Sequence, residues 1–221
     1  MIFGRIGYLN LLPFHVFMKR FISNSGQKMS MNYKKGVPSK INNDFRRRKV
    51  DAAFISSINA PKYKHVNLGI IAKQEVQSVL VIPNKEDIKD TESATSNVLA
   101  RILNIHGEVL IGDKALKYYL QNQPHIDLAL EWNKKHNLPF VFAVLCYHKD
   151  KLLYKKIQTL FLKQQIKIPR YILKQASLRT TIPEHAILEY LKKISYKLNS
   201  KAKLGLKKFY KEVKLSKNML K

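Results

Sequence analysis

The chain is short of cysteine, of acidic residues and of long apolar runs, and each shortage excludes a class of protein. There is one cysteine, Cys146, in 221 residues. No intrachain disulfide can form, and a reducing compartment is the expected setting. Its place inside the apolar run FVFAVLCY marks it as a packing thiol. The longest apolar run, residues 138–147, is about half of the ~20 residues that a membrane-spanning helix needs. The N-terminus shows neither a basic leader nor an apolar stretch ending in a small-residue cleavage site, so a soluble cytoplasmic protein is expected. Catalytic signatures are missing too. There is no Gly-x-Gly-x-x-Gly, no Walker A sequence and no Gly-x-Ser-x-Gly elbow. The seven histidines include no two spaced three or four apart, so no helical metal-ligand pair exists. No internal repeat is visible.

The scarcity of acid leaves a formal net charge of +26. It is uneven: residues 147–221 carry 20 of the 41 Lys and Arg but 4 of the 15 Asp and Glu. Such a segment suits nucleic acid or anionic lipid, or it is the solvated face of lysine-rich helices. The lysines punctuate amphipathic stretches instead of forming one block, which favours the second reading. A positive field also draws in small anions.

An apolar fraction of 45% supports a real core. Strand-like and helix-like segments alternate: a strand from Ile2 to Leu9, a helix from Phe14 to Ser23, a strand in MSMNYKKGVP, and a helix in SKINNDFRRRK capped by Ser39. Strands follow in VDAAFISS, VNLGIIA and QSVLVIP. After Pro83 come a helix in SATSNVLARILNI, a strand in EVLIGD, helices in KALKYYLQN and IDLALEWNKKHN, and a buried strand in LPFVFAVLCY. This is the rhythm of a parallel sheet with helices on both faces. From Lys149 onward the chain reads as helical, broken by Pro169 and Pro183. Ile187, Tyr190, Leu191 and Ile194 fall on one apolar face, and Leu206, Phe209, Tyr210 and Val213 on another. Two such units suggest two lobes with a cleft between them.

Polar residues stand where strands end. Asn10 follows the first strand, Ser56 and Ser57 follow VDAAFI, Asp113 follows VLIG, and Ser93, Thr95 and Ser96 open a helix. Singly, each reads as a turn residue or helix cap, Asp113 as the N-cap of KALKYYL. Jointly, at successive strand ends of an open sheet, they read as a ligand site for a small polyanion.

The ordered motifs GYLNLLPF, VPSKIN, VDAAFISS, QSVLV, SATSNVLARIL, GEVLIGDKAL and DLALEWNKKHNLPFVFAV resemble the chorismate dehydratases, which begin the futalosine route to menaquinone. LIGDKAL and DLALEW…LPFVFA are the most specific parts, and the C-terminal third carries little signature. The resemblance implies an α/β, two-lobed fold of the type II periplasmic-binding-protein kind with a helical C-terminal region. Residues 1–78 and 147–221 would form one lobe and 79–146 the other. It implies dehydration of chorismate to 3-[(1-carboxyvinyl)oxy]benzoate with no cofactor and no metal. Neither nucleic acid nor membrane is expected as a partner. Asn10, Ser56 and Asp113 would be catalytic, and Ser57, Ser78, Ser93, Thr95, Ser96 and Gly112 would hold substrate. The proton acceptor would be the enolpyruvyl carboxylate of the substrate or a protein base such as Asp113. Two alternatives share the fold: the sister enzyme that makes 1,4-dihydroxy-6-naphthoate, and a non-catalytic anion-binding protein. The sister enzyme usually has Cys-Pro-Asn-Asp where this chain has Tyr8, Leu9 and Asn10, which favours the dehydratase. One departure stands out: Ala94 occupies the position where the family often has an arginine before Thr95 and Ser96.

Overall fold

The computed structural model describes residues 1–24 and 31–218. The chain runs β1 (Ile2–Ile6), α1 (Leu12–Asn24), β2 (Asn32–Gly36), α2 (Pro38–Arg46), β3 (Ala52–Ser56), β4 (Lys64–Ala72) and β5 (Val79–Ile82). It continues through α3 (Ala94–Leu103), β6 (Glu108–Ile111), α4 (Gly112–Leu120), β7 (Ile126–Asp127), α5 (Leu128–His136) and β8 (Phe140–Tyr147). The C-terminal part is α6 (Lys151–Lys163), α7 (Arg170–Thr180), α8 (Glu184–Lys193), β9 (Ile194–Lys197) and α9 (Ser200–Asn218). Met29 and Ser30, part of the expected second strand, lie outside the described residues.

Two sheets result. A six-stranded sheet has the order β2-β1-β3-β8-β4-β9, and a three-stranded sheet has the order β6-β5-β7. The parallel arrangement expected from the alternating pattern is confined to β2-β1-β3; every other pairing in both sheets is antiparallel. The reason is connectivity. β8 returns from the smaller unit against β3 and β4, so it must run opposite to both. Residues 140–146, expected in the second lobe, therefore sit in the middle of the larger sheet. The smaller unit holds β5, β6 and β7 with α3, α4 and α5 around them.

Several element ends differ from expectation. β1 stops at Ile6, and Leu9–Leu11 forms a 3-10 turn whose Leu11 N–H donates to the Tyr8 carbonyl at 3.0 Å. The apolar Leu9 that looked like strand is buried from the turn instead. Pro13 then sits in the first turn of α1, where a missing N–H costs nothing. Ser39 is no cap, because α2 begins at Pro38. Asp113 is no cap either, because α4 begins at Gly112. Ser93 does cap α3, its hydroxyl accepting from the Ser96 N–H. β9 was missed. It covers the edge of β4 after α8 ends, a common protection of an exposed strand.

The core runs through both units. Phe14 packs edge-on against Phe54 and Phe161 at ring separations of 5.0 and 5.3 Å. Trp132 meets Phe140 at 5.3 Å, and Phe140 meets Phe209 of α9 at 5.1 Å. Leu206, Phe209 and Val213 are buried as their spacing predicts, while Lys201, Lys203 and Lys207 of the same helix are exposed. The basic C-terminal segment is a solvated helix face. No described helix is long and apolar enough to cross a membrane.

Candidate active site

A cavity of about 70 Å³ lies where the two sheets face each other. Its apolar walls include Ile6, Phe54, Ile70, Val79, Ile111 and Phe142. Its polar lining is Tyr8, Asn10, Ser56, Ser78, Ser93 and Ser96, with the backbone of Gly112. The topology explains this convergence. Asn10 comes from the turn after β1, Ser56 ends β3, Ser78 precedes β5, Ser93 and Ser96 begin α3, and Gly112 follows β6. Six of the nine sequence-derived candidates thus meet in one place.

The other three stand elsewhere. Ser57 is fully buried, and its hydroxyl donates to the Val141 carbonyl at 2.5 Å. Thr95 is buried behind the wall, where its hydroxyl accepts the Ile58 N–H at 3.2 Å and ties α3 to the turn after β3. Asp113 faces a separate outer cleft of about 600 Å³. Its carboxylate accepts the Leu9 N–H at 2.8 Å and pairs with Arg179 at 3.1 Å. Burial raises the Asp113 pKa, and the Leu9 N–H and Arg179 oppose that rise. These contacts tie the start of α4 to the turn after β1 and to α7.

The cavity lining contains no Asp, Glu, Lys, Arg or His. Its polar atoms are hydroxyls and one amide, and the oxygens of Ser56, Ser93 and Ser96 already accept hydrogen bonds at the wall. Asn42 donates to the Ser56 hydroxyl at 2.9 Å and to the Pro38 carbonyl at 2.6 Å, while its own oxygen accepts the Ser56 N–H at 3.0 Å. Ser56 is thus an acceptor toward Asn42 and has its own O–H left to donate. Ser93 donates to the Ser96 hydroxyl at 2.7 Å, which leaves the Ser96 O–H in the same condition. Neutral donors converging on an enclosed volume suit an anion.

Tyr8 closes one side. Its ring lies on Gly112, where an added Cβ would stand 2.6 to 2.8 Å from ring carbons, and Gly112 has φ +70°. Only glycine allows both the backbone and the contact. The Tyr8 phenol donates to the Glu92 carboxylate across the gap between the two units. Burial, with Glu92 second, pushes the Tyr8 pKa far up, so the phenol stays protonated.

The C-terminal elements reach the same cavity from behind. Tyr196 of β9 donates to the Asn10 carbonyl at 2.7 Å. Tyr190 of α8 shares a hydrogen bond with the Ser78 hydroxyl at 2.8 Å, and the Asn10 side chain acts on its phenol as a donor, against the larger upward pull of burial on its pKa. Asp127 accepts the N–H groups of Val76 and Gln77 at 2.9 and 2.6 Å and so fixes the strand that delivers Ser78. None of these three supports, nor Asn42, is legible as such in the sequence. Asn42 stood in the VPSKIN motif without a role, and Tyr190 looked like one more apolar position on a helix face. Among the described residues no three His, Cys, Asp or Glu side chains come together to hold a metal ion.

This arrangement can be compared with known proteins. A profile of a family described as menaquinone biosynthesis matches residues 1–108 and 104–214. The chain belongs to that menaquinone-biosynthesis family. Within reach is a Campylobacter jejuni (subsp. jejuni serotype O:23/36, strain 81-176) protein named chorismate dehydratase, 47% identical over 218 residues, which span 97% of this chain and 98% of the relative. Solved structures agree on the fold at low identity. A protein of Archaeoglobus fulgidus superposes with a TM-score of 0.67 at 10% identity, covering 97% of each chain. A Candida albicans protein described as having the generic periplasmic binding protein fold gives 0.60 at 12%, covering 97% of this chain and 90% of its own. The periplasmic aliphatic sulphonate binding protein SsuA of Escherichia coli gives 0.59 at 13%, covering 100% and 87%. The architecture is that of periplasmic binding proteins, placed here in a biosynthetic family.

Proposed function

We propose that this chain is a chorismate dehydratase, a lyase that removes water from chorismate to give 3-[(1-carboxyvinyl)oxy]benzoate at the start of the futalosine route to menaquinone. The observation that carries the reading is the uncharged, donor-lined cavity between the two sheets, in a chain so similar to a protein of that name. Asn10 and Ser56 bind from one side, and Ser78 and Ser96 from the other, with Ser93 and Gly112 shaping that wall, the Ser93 O–H being given to Ser96 and the Gly112 N–H to the Ser78 carbonyl. Thr95, Ser57 and Asp113 act from behind, by holding those elements in place.

A cavity of about 70 Å³ is far below the ~300 Å³ at which ligand pockets begin. Chorismate is therefore admitted by parting the two units at the contact of Tyr8 with Glu92 and Gly112. In the reaction a ring carbon loses its proton to a base, the electron pair left behind completes a ring double bond as the adjacent C–O bond breaks, the base passes that same proton to the departing hydroxyl so that it leaves as water, and the ring becomes aromatic. Aromatisation provides the driving force, so the protein supplies orientation and charge management. With no carboxylate or imidazole in the lining, the proton passes to the enolpyruvyl carboxylate of the substrate. The N–H and O–H donors of the wall hold the second carboxylate and the departing hydroxyl. In this reading Asp113, paired with Leu9 and Arg179 in the outer cleft, holds the fold and is not the base.

The first lobe is residues 1–78 with the C-terminal helices and β8, and the second is about 79–139. Neither nucleic acid nor membrane is part of the function, and the enzyme works in the cytoplasm. The test is a comparison at Asn10. Asn10→Ala removes a donor and should lower kcat/KM by roughly 10²–10³. Asn10→Asp keeps the shape but sets a like charge against the substrate dianion, so it should be as poor or worse. Near-normal turnover by the Asp variant would make Asn10 a turn residue and remove the site from this cavity.

A further inference from the structure

We infer that Tyr190, on α8 of the C-terminal third, is a positioning residue: it sets the direction of the hydrogen bonds that the cavity wall offers. For its effect on turnover the inference rests on the dehydratase reading; for its effect on Asn10 it does not.

The geometry is closed on three sides. Tyr190 is 2% exposed, and so is Ser78. The phenol oxygen meets the Ser78 hydroxyl at 2.8 Å, and the Asn10 side chain acts on it as a donor. Both of those groups line the cavity, and Tyr190 does not. Tyr196 fixes the same segment from β9 by donating to the Asn10 carbonyl at 2.7 Å. Helix α8 and strand β9 therefore brace one residue from each side of the cleft.

A buried phenol has one proton to give, and leaving it unshared is costly. The acceptor within its reach is the Ser78 oxygen, while the Asn10 side chain acts on the phenol as a donor. With the Ser78 oxygen taking the proton, the Ser78 O–H turns away from Tyr190 and toward the cavity. Ser78 then has its acceptor engaged at the wall and presents a donor to the ligand. Asn42 does the same for Ser56, and Ser93 for Ser96. The wall is thus set as donors before any anion arrives, which is what stabilising a dianion without a charged side chain requires. Burial holds the Tyr190 pKa well above its ordinary value, so the proton stays in place at working pH.

The experiment compares wild type, Tyr190→Phe, Asn10→Ala, Ser78→Ala and the two double variants with Tyr190→Phe, by steady-state turnover of chorismate and by the NMR signals of the Asn10 side-chain amide. Tyr190→Phe should lower kcat/KM about 10–100-fold with the loss mainly in kcat, as expected when a donor is misplaced and not removed. In whichever single-variant background lacks the phenol's acceptor, adding Tyr190→Phe should cost less than about threefold more, since partners in one network are not additive. The Asn10 amide signals should move toward free-amide positions in Tyr190→Phe. A packing role gives the same factor in all backgrounds, and that result overturns the inference. If wild type leaves chorismate unchanged, the dehydratase reading fails, and the Asn10 signals alone decide: an unmoved amide pair in Tyr190→Phe overturns the positioning role.

Discussion

Gly112 offers the sharpest stability prediction, because two independent constraints meet there. Replacing it by Ala puts a Cβ on a residue with φ +70°. That conformation costs an L-residue about 1–2 kcal/mol. The same Cβ falls 2.6, 2.7 and 2.8 Å from three carbons of the Tyr8 ring. Ordinary carbon contact needs about 3.5–4.0 Å, so the ring must retreat by about 1 Å. A hydroxyl that retreats with its ring loses its bond to the Glu92 carboxylate. Hydrogen bonds to charged groups are worth about 1.5–3 kcal/mol. The two contributions together predict a loss of about 3–5 kcal/mol for Gly112→Ala, read by denaturant unfolding. Removing the ring separates them. In a Tyr8→Ala background the Gly112→Ala change should cost only the backbone part, about 1–2 kcal/mol. Equal costs in the two backgrounds would refute the packing argument, and with it the claim that Gly112 serves the cavity by seating Tyr8.

Three further outcomes follow from the same geometry. Asp113→Asn keeps an acceptor for the Leu9 N–H but weakens the Arg179 pair, so it should lower stability by about 1–2 kcal/mol while kcat stays within about threefold of wild type; a kcat loss of the size expected for Asn10→Ala would return Asp113 to the reaction. The rate of dehydration, kcat/KM, should be flat between about pH 6 and 9, since the one ionisable side chain in the lining, Tyr8, has its pKa pushed up; a bell-shaped profile would reveal a protein base. His15 donates through Nε2 to the Ile6 carbonyl at 2.8 Å, its Nδ1 is buried without a partner, and burial lowers its pKa to about 4. The unfolded chain therefore binds this proton first as pH falls from 6.5, so stability is full above pH 6.5 and drops by about 3 kcal/mol on reaching pH 4; this slope should vanish in His15→Gln, and an unchanged slope would discount the buried imidazole.

Much of this site could be read from the chain because strand ends announce themselves locally. VDAAFISS needs no tertiary context to put Ser56 at the end of a buried strand, and Ser93 three residues before Ser96 is a cap by its spacing alone. What failed was direction. Ser56 and Ser57 are adjacent, but Ser56 is the last residue of β3 and Ser57 the first of the turn after it, so one reaches the cavity and the other the Val141 carbonyl. Asp113 and Gly112 are likewise neighbours that face different clefts. The strand direction of β8 was hidden for another reason. An apolar run of eight residues looks alike whether its neighbours run with it or against it, and only the return of the chain from the smaller unit decides. Tyr190 on α8 and Tyr196 on β9 are not legible because a phenol among apolar neighbours packs as a hydrophobe until its oxygen finds a partner far away in sequence.

The most direct test of the account is purified protein incubated with chorismate, with no added metal or nucleotide, followed by ultraviolet spectrum and mass spectrometry. The account predicts a product lighter by one water, with the absorbance of a substituted benzoate, formed by wild type and strongly reduced in Asn10→Ala. Chorismate that stays intact in the presence of folded protein across pH 6 to 9 would contradict it.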